Sequence, residues 1–132
     1  MSDVAGTEAV RTESAPAPFQ GAPYSQAVRG GGLVFVSGQI GLRPGSPDLA
    51  GAGVAEQTEQ VFANLRAILE AAGTGLDRVV RTTVYLRSMS DFQAMNEVYA
   101  RHVGGVPPAR ATVEVSGLPA GALVEIDAIA LA

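Results

Sequence analysis

Arg110 stands at the entry to a strand-like run, Pro107-Pro108-Ala109-Arg110-Ala111-Thr112-Val113-Glu114-Val115. Two prolines remove backbone freedom just before it. A guanidinium held at a stiff strand entry offers two parallel donors, which is the geometry that grips a small carboxylate. Side chains alternate along a strand, so Arg110, Thr112 and Glu114 share one face and Val113 and Val115 the other. Two readings stay open at this point. Arg110 either pairs internally, with Glu114 or with Glu125 or Asp127 on the following strand, or it clamps a ligand.

Glu125 and Asp127 share one face of a final strand that also carries Leu123, Ile129 and Leu131. Carboxylates on an apolar strand need partners or water. A carboxylate there with a raised pKa can act on a water, and the alternative is a structural pair with an arginine. Tyr24 follows Pro23 in a stiffened segment, where its phenol either orients a ligand or packs. Ser37-Gly38-Gln39 ends a strand, and Gly38 lets backbone amides approach a ligand closely. Ser37 has no neighbouring histidine and is a weak nucleophile candidate. Asn96 lies on the apolar face of a helix, so its amide must bond backbone, a neighbouring subunit or a ligand. His102 is the single histidine, with no Asp or Ser at partner spacing, and helix-dipole stabilisation is its simplest role.

The elements that must position these groups read as follows. Residues 1–18 are polar and contain proline, and are expected to form a flexible arm; residues 19–132 form a single domain. A short strand over Ser25–Arg29, the turn Gly30-Gly31-Gly32 and the β-rich Leu33–Ser37 suggest a hairpin. The three-glycine run lacks the context of a dinucleotide site. Arg43 to Gly53 is an exposed loop. Val54, Thr58, Val61, Phe62, Leu65, Ile68 and Leu69 recur at helical spacing, predicting a helix over 54–72 with Gly73 as its C-cap. Residues 77–86 alternate as a strand, with Val80, Thr82 and Val84 on one side and Val79, Thr83 and Tyr85 on the other. Ser90 and Gln93 predict a capping box for a second helix, with Phe92, Met95, Asn96, Tyr99 and Val103 on one face. Strands over 110–116 and 123–131 complete the order β-β-α-β-α-β-β. Two helices cover one face of such a sheet, and the other face must also be buried, most simply against another subunit.

Bulk composition narrows the function classes. The chain has 132 residues, 47% of them hydrophobic and 17% charged, with a formal net charge of −4. That is one domain with a real core. All nine cations are arginine, and the acidic balance argues against nucleic-acid binding. With no cysteine and one histidine, thiolate chemistry and a histidine-rich metal site are excluded. No run has the length of a membrane span, and the N-terminus lacks the pattern of a secretory signal, so the expected location is the cytoplasm.

The ordered set of motifs resembles the RidA (reactive intermediate deaminase) family, also known as the YjgF or endoribonuclease L-PSP family. The matching pieces are Thr12-Glu13-Ser14-Ala15-Pro16, Pro23-Tyr24-Ser25-Gln26, Val36-Ser37-Gly38-Gln39-Ile40, Ala71-Ala72-Gly73 and Val80-Arg81-Thr82-Thr83-Val84-Tyr85-Leu86. They continue with Asp91-Phe92, Asn96, Tyr99, Pro108-Ala109-Arg110, Val113-Glu114-Val115 and the run from Val124 to Ala130. The resemblance implies an α+β, chorismate-mutase-like fold: a mixed β-sheet with two helices on one face. It implies a homotrimer with a central β-barrel and a cleft at each subunit junction. It also implies hydrolysis of enamines and imines such as 2-aminoacrylate to 2-oxo acids and ammonia, a 2-iminobutanoate/2-iminopropanoate deaminase-like activity that needs no cofactor and no metal. Carried over, Arg110 binds the substrate carboxylate, Glu125 activates water, and Tyr24, Ser37, Gly38, Asn96 and Thr112 line the pocket.

Three departures bear on substrate range. Thr112 stands where many relatives carry cysteine, Pro107 replaces an aromatic or aliphatic residue, and an extra residue separates Gly21 from Pro23. Other readings are a non-catalytic module that binds a 2-oxo acid, a pathway-specific deaminase of another enamine, and a ribonuclease, which the acidic balance disfavours.

Overall fold

The computed structural model describes residues 5–132. Its centre is a six-stranded sheet in the order β1-β2-β3-β6-β4-β5. The strands are β1 (Glu8–Val10), β2 (Ala27–Gly30), β3 (Leu33–Ile40), β4 (Val79–Leu86), β5 (Ala109–Glu114) and β6 (Val124–Leu131). The helices are α1 (Val54–Ala71) and α2 (Phe92–His102). Neighbours are antiparallel except β4 and β5, which run parallel through the α2 crossover. The last strand, β6, lies in the middle, antiparallel to both β3 and β4.

The α+β expectation of two helices on a mixed sheet is met. Helix α1 buries Val61, Phe62, Leu65, Ile68 and Leu69, and α2 adds Met95 and Tyr99. They cover the sheet side formed by Val34, Val84, Val124, Ile126 and Ala130, all fully buried. Burying one such side chain is worth about 1.5–3 kcal/mol, which makes this layer the main source of cohesion. Helix α1 ends at Gly73 with φ +83°, and Thr74 N–H bonds the Leu69 carbonyl at 3.0 Å, a Schellman closure.

Three local readings are corrected. Glu8–Val10, expected in a flexible arm, pairs with β2, and Ala15 is buried. Gln26 fastens the stretch after β1: its buried side-chain amide accepts from Thr12 N–H at 2.7 Å and donates to the Thr12, Ala15 and Pro16 carbonyls. Residues 1–4 of the expected arm lie outside the described residues. In β4 the register shifts between Val79 and Arg81, so Val79 turns into the core and Val80 lies 41% exposed. The bulge inserts one residue and reverses the side on which each valine falls. Ser90 caps no helix: α2 begins at Phe92 after a 3-10 turn over Met89–Asp91, and Ser90 bonds Ser88 instead. The face of α2 that carries Phe92 is not fully covered, and Phe92 is 36% exposed.

Candidate active site

A second bulge shapes the first half of the site. The β3–β6 register shifts between Val36 and Gln39, which places Ser37 and Gly38 together opposite one residue of β6. Glu125 then lies against Gly38. A Cβ added to Gly38 would collide with the Glu125 carboxylate, its carbon at 2.9 Å. A side chain at this position would displace the Glu125 carboxylate.

Tyr24, Ser37, Gly38 and Glu125 line one cavity of about 390 Å³, with Phe19 and Leu42 among its apolar walls. The Tyr24 hydroxyl accepts from Phe19 N–H at 2.6 Å, which leaves its proton free to donate into the cavity. Ser37 donates to the Ser25 carbonyl at 2.6 Å, so its proton is committed and its lone pairs are free. Burial, reinforced by the charge of Asp127, raises the Glu125 pKa above the ordinary carboxylate value. Asp127 is otherwise engaged, accepting from Thr83 N–H and the Tyr85 hydroxyl at 3.1 Å each. Of the two carboxylates on this strand, Glu125 is the one at the cavity.

The second half lies on the other side of the sheet. Thr82 is buried under α2, where its hydroxyl meets the Tyr99 hydroxyl at 2.7 Å. Arg110 is the register partner of Thr82 and therefore shares its face. Its guanidinium carbon stands 4.7 Å from the Tyr99 ring centre and 5.6 Å from that of Phe92. None of the ion pairs of the described residues involves Arg110, so the internal-pair reading is not what this structure contains. Glu114, two positions on, accepts from Met89 N–H at 2.7 Å. Thr112 Oγ1 and Asn96 Oδ1 are buried without a hydrogen-bond partner. Asn96 follows Phe92 by four residues and precedes Tyr99 by three, so all three share the helix face turned toward Arg110.

The seven residues singled out from sequence thus divide into two groups within one chain: Tyr24, Ser37, Gly38 and Glu125 at the cavity, and Asn96, Arg110 and Thr112 beneath α2. Sequence reasoning missed the aromatic partners of Arg110. The signal was available, since Phe92 and Tyr99 stand seven residues apart on a helix that leads directly to the Arg110 strand. His102 takes no part. It stacks on Phe62 at 4.6 Å, contacts Glu59 through Nε2, and faces Arg66 through Nδ1 at 3.4 Å. Among the described residues no three His, Asp or Glu side chains gather as a metal site, and no helix is long and apolar enough to cross a membrane.

Comparison with known proteins bears on the whole domain. The profile of the family described as Endoribonuclease L-PSP matches residues 12–132. A RutC family protein of Pyrococcus horikoshii is 49% identical over 123 residues, covering 93% of this chain and 96% of that one. A 2-iminobutanoate/2-iminopropanoate deaminase of Mus musculus is 46% identical over 122 residues, covering 92% and 89%. The crystal structure of E. coli TdcF with bound serine superposes with a TM-score of 0.87 at 34% identity, covering 95% and 98%. A family profile matched over residues 12–132, relatives near half identical over almost their whole length and close superposition on a solved relative agree on one conclusion: the chain belongs to the endoribonuclease L-PSP family, the RidA/YjgF family of proteins.

Proposed function

We propose that this protein is an enamine/imine deaminase that hydrolyses 2-aminoacrylate-type intermediates to 2-oxo acids and ammonia. The observation that carries this reading is the division of chemistry between two half-sites. One offers a cation with no carboxylate partner beside two unpaired buried polar atoms. The other offers a carboxylate of raised pKa in a cavity. The name of the murine relative supports the substrate class, and the serine bound to TdcF supports a small amino-acid-like ligand.

The two halves face opposite ways, so a complete cleft takes Arg110 from one subunit and Glu125 from another. The helix-free sheet face exposes Phe35, Val113 and Leu131, apolar area that an assembly would bury. A homotrimer joined through that face, with a cleft at each junction, satisfies both conditions. The reaction belongs in the cytoplasm, where pyridoxal-phosphate enzymes release such intermediates.

The chemistry asks little of the protein. The enamine gains a proton at its terminal carbon to become the imine. Arg110 holds the carboxylate in a bidentate grip, which orients C2. Water adds to C2 while Glu125 takes its proton. Glu125 returns that proton to the nitrogen, the new hydroxyl gives up its own proton to water as the carbonyl forms, the C–N bond breaks, and ammonia leaves the 2-oxo acid behind. The test is ammonia release from an imino acid generated in the cuvette by an amino-acid oxidase. The wild type should outpace buffer, and Arg110→Ala should lose roughly 10–100-fold in kcat/KM, the cost of one charge-assisted contact. A wild type no faster than buffer, with tight binding of pyruvate, would establish a binding module instead.

A further inference from the structure

Arg110 is held by rings, where an ion pair would have been the usual solution. Its guanidinium carbon lies over the Tyr99 ring at 4.7 Å and near the Phe92 ring at 5.6 Å. The difference matters for a ligand-binding cation. A carboxylate partner would consume the in-plane N–H donors and cancel the charge. An aromatic face attracts the cation through its quadrupole and leaves the N–H edge free.

Tyr99 is itself fixed at its ring and at its hydroxyl. Its ring edge meets Phe62 at 5.4 Å and 83°. Its hydroxyl meets Thr82 at 2.7 Å. Only 6% of the residue is exposed. Thr82 is the register neighbour of Arg110 on β4, so Tyr99, Thr82 and Arg110 close a triangle that ties α2 to the β4–β5 pair. Arginine has a long, freely rotating side chain, and β5 is an edge strand with one neighbour. Something outside the strand must restrain the guanidinium if it is to meet a carboxylate without losing side-chain entropy at each encounter.

We propose that Tyr99, assisted by Phe92, is a positioning residue that fixes the guanidinium of Arg110 while keeping its N–H donors available for the substrate carboxylate. The inference rests on the reading of Arg110 as the carboxylate clamp. It adds that the aromatic pair sets affinity and leaves the chemical step alone. Tyr99→Leu should raise the KM for the imino acid, and the Kd for pyruvate by calorimetry, by roughly three- to thirty-fold, with kcat changed less than about two-fold. Tyr99→Phe keeps the ring and should restore most of the affinity. Phe92→Leu, at a position 36% exposed, should weaken binding a few-fold.

A second measurement bears on the same point without any ligand. The Arg110 side-chain N–H resonance should be shifted upfield by the Tyr99 ring current in the wild type and in Tyr99→Phe, and should return toward the free value in Tyr99→Leu. A resonance at the free value in the wild type overturns the inference whatever binds. So does a Tyr99→Leu variant that binds pyruvate as the wild type does while Arg110→Ala has lost it, or a Tyr99→Phe as damaged as Tyr99→Leu. Failure of the wild type to bind pyruvate or turn over any imine, with the ring-current shift present, would count against the clamp reading alone.

Discussion

Arg110 and Glu125 leave the sheet on opposite faces. Arg110 stands beside Thr82 and Glu125 beside Tyr85, three positions further along β4. An odd offset reverses the face, and the two backbones are separated by about 10 Å along the strand and about 10 Å across it. One chain cannot offer both groups to one small ligand. Subunits carrying only Arg110→Ala or only Glu125→Gln should therefore be nearly inactive. Unfolded together in equal amounts and refolded as mixed assemblies, they should recover about a quarter of wild-type activity, the chance that a junction draws both intact residues from two subunits. Ammonia release from the mixture measures this, and no recovery would place both groups on the same subunit's side of the cleft.

Gly38→Ala should separate activity from folding. The new methyl group meets the flexible end of Glu125, which can swing aside at small cost to stability. The carboxylate then leaves its place against the bulge. Activity should fall by about 100-fold or more, in line with the loss of a positioned general base, while the thermal midpoint changes little. Calorimetry and the ammonia assay, run on one preparation, check both halves.

The pH profile reports Glu125. In its proposed role as base Glu125 must be ionised, and burial followed by the charge of Asp127 raises its pKa. The acid limb of the rate profile should therefore lie above the ordinary glutamate range, with activity lost as pH falls through it. Asp127→Asn removes the smaller cause and should move that limb to lower pH, leaving it still displaced by burial. An unmoved limb would show that another group controls the rate.

The same shift carries a stability cost. A carboxyl whose pKa is higher folded than unfolded stabilises the fold below the unfolded value, and that contribution is lost as pH rises through the folded value. At neutral pH Glu125 therefore works against folding. Glu125→Gln should be more resistant to urea than the wild type at neutral pH, with the advantage shrinking as the solution is acidified through the carboxylate range.

The sequence made some of this legible and hid the rest for definite reasons. Helix α1 was readable because seven apolar or small residues recur at its period, and Gly73 marked its end. The alternation that put Arg110, Thr112 and Glu114 on one face of β5 was also correct, because nothing interrupts that strand. Bulges were not legible. Val80 and the Ser37-Gly38 pair depend on how a strand meets its neighbour, which local alternation cannot report. Strand β1 was missed because three residues have no pattern of their own and are held by pairing with β2, far along the chain. The division of the site was hidden for a similar reason: each motif gives a residue's place along its strand, and its face is decided by register with strands distant in the chain. Ser90 looked like a helix cap because its spacing to Gln93 fits one, but Ser88 begins a 3-10 turn first.

The Gln26 amide has a consequence for handling the protein. It fastens the backbone at Thr12, Ala15 and Pro16, and Pro16 and Ala17 go on to wall the cavity beside Glu125. The leading segment is therefore part of the cavity wall. A truncation through Ala17 would leave the Gln26 amide without its carbonyls and take Pro16 and Ala17 from the cavity wall.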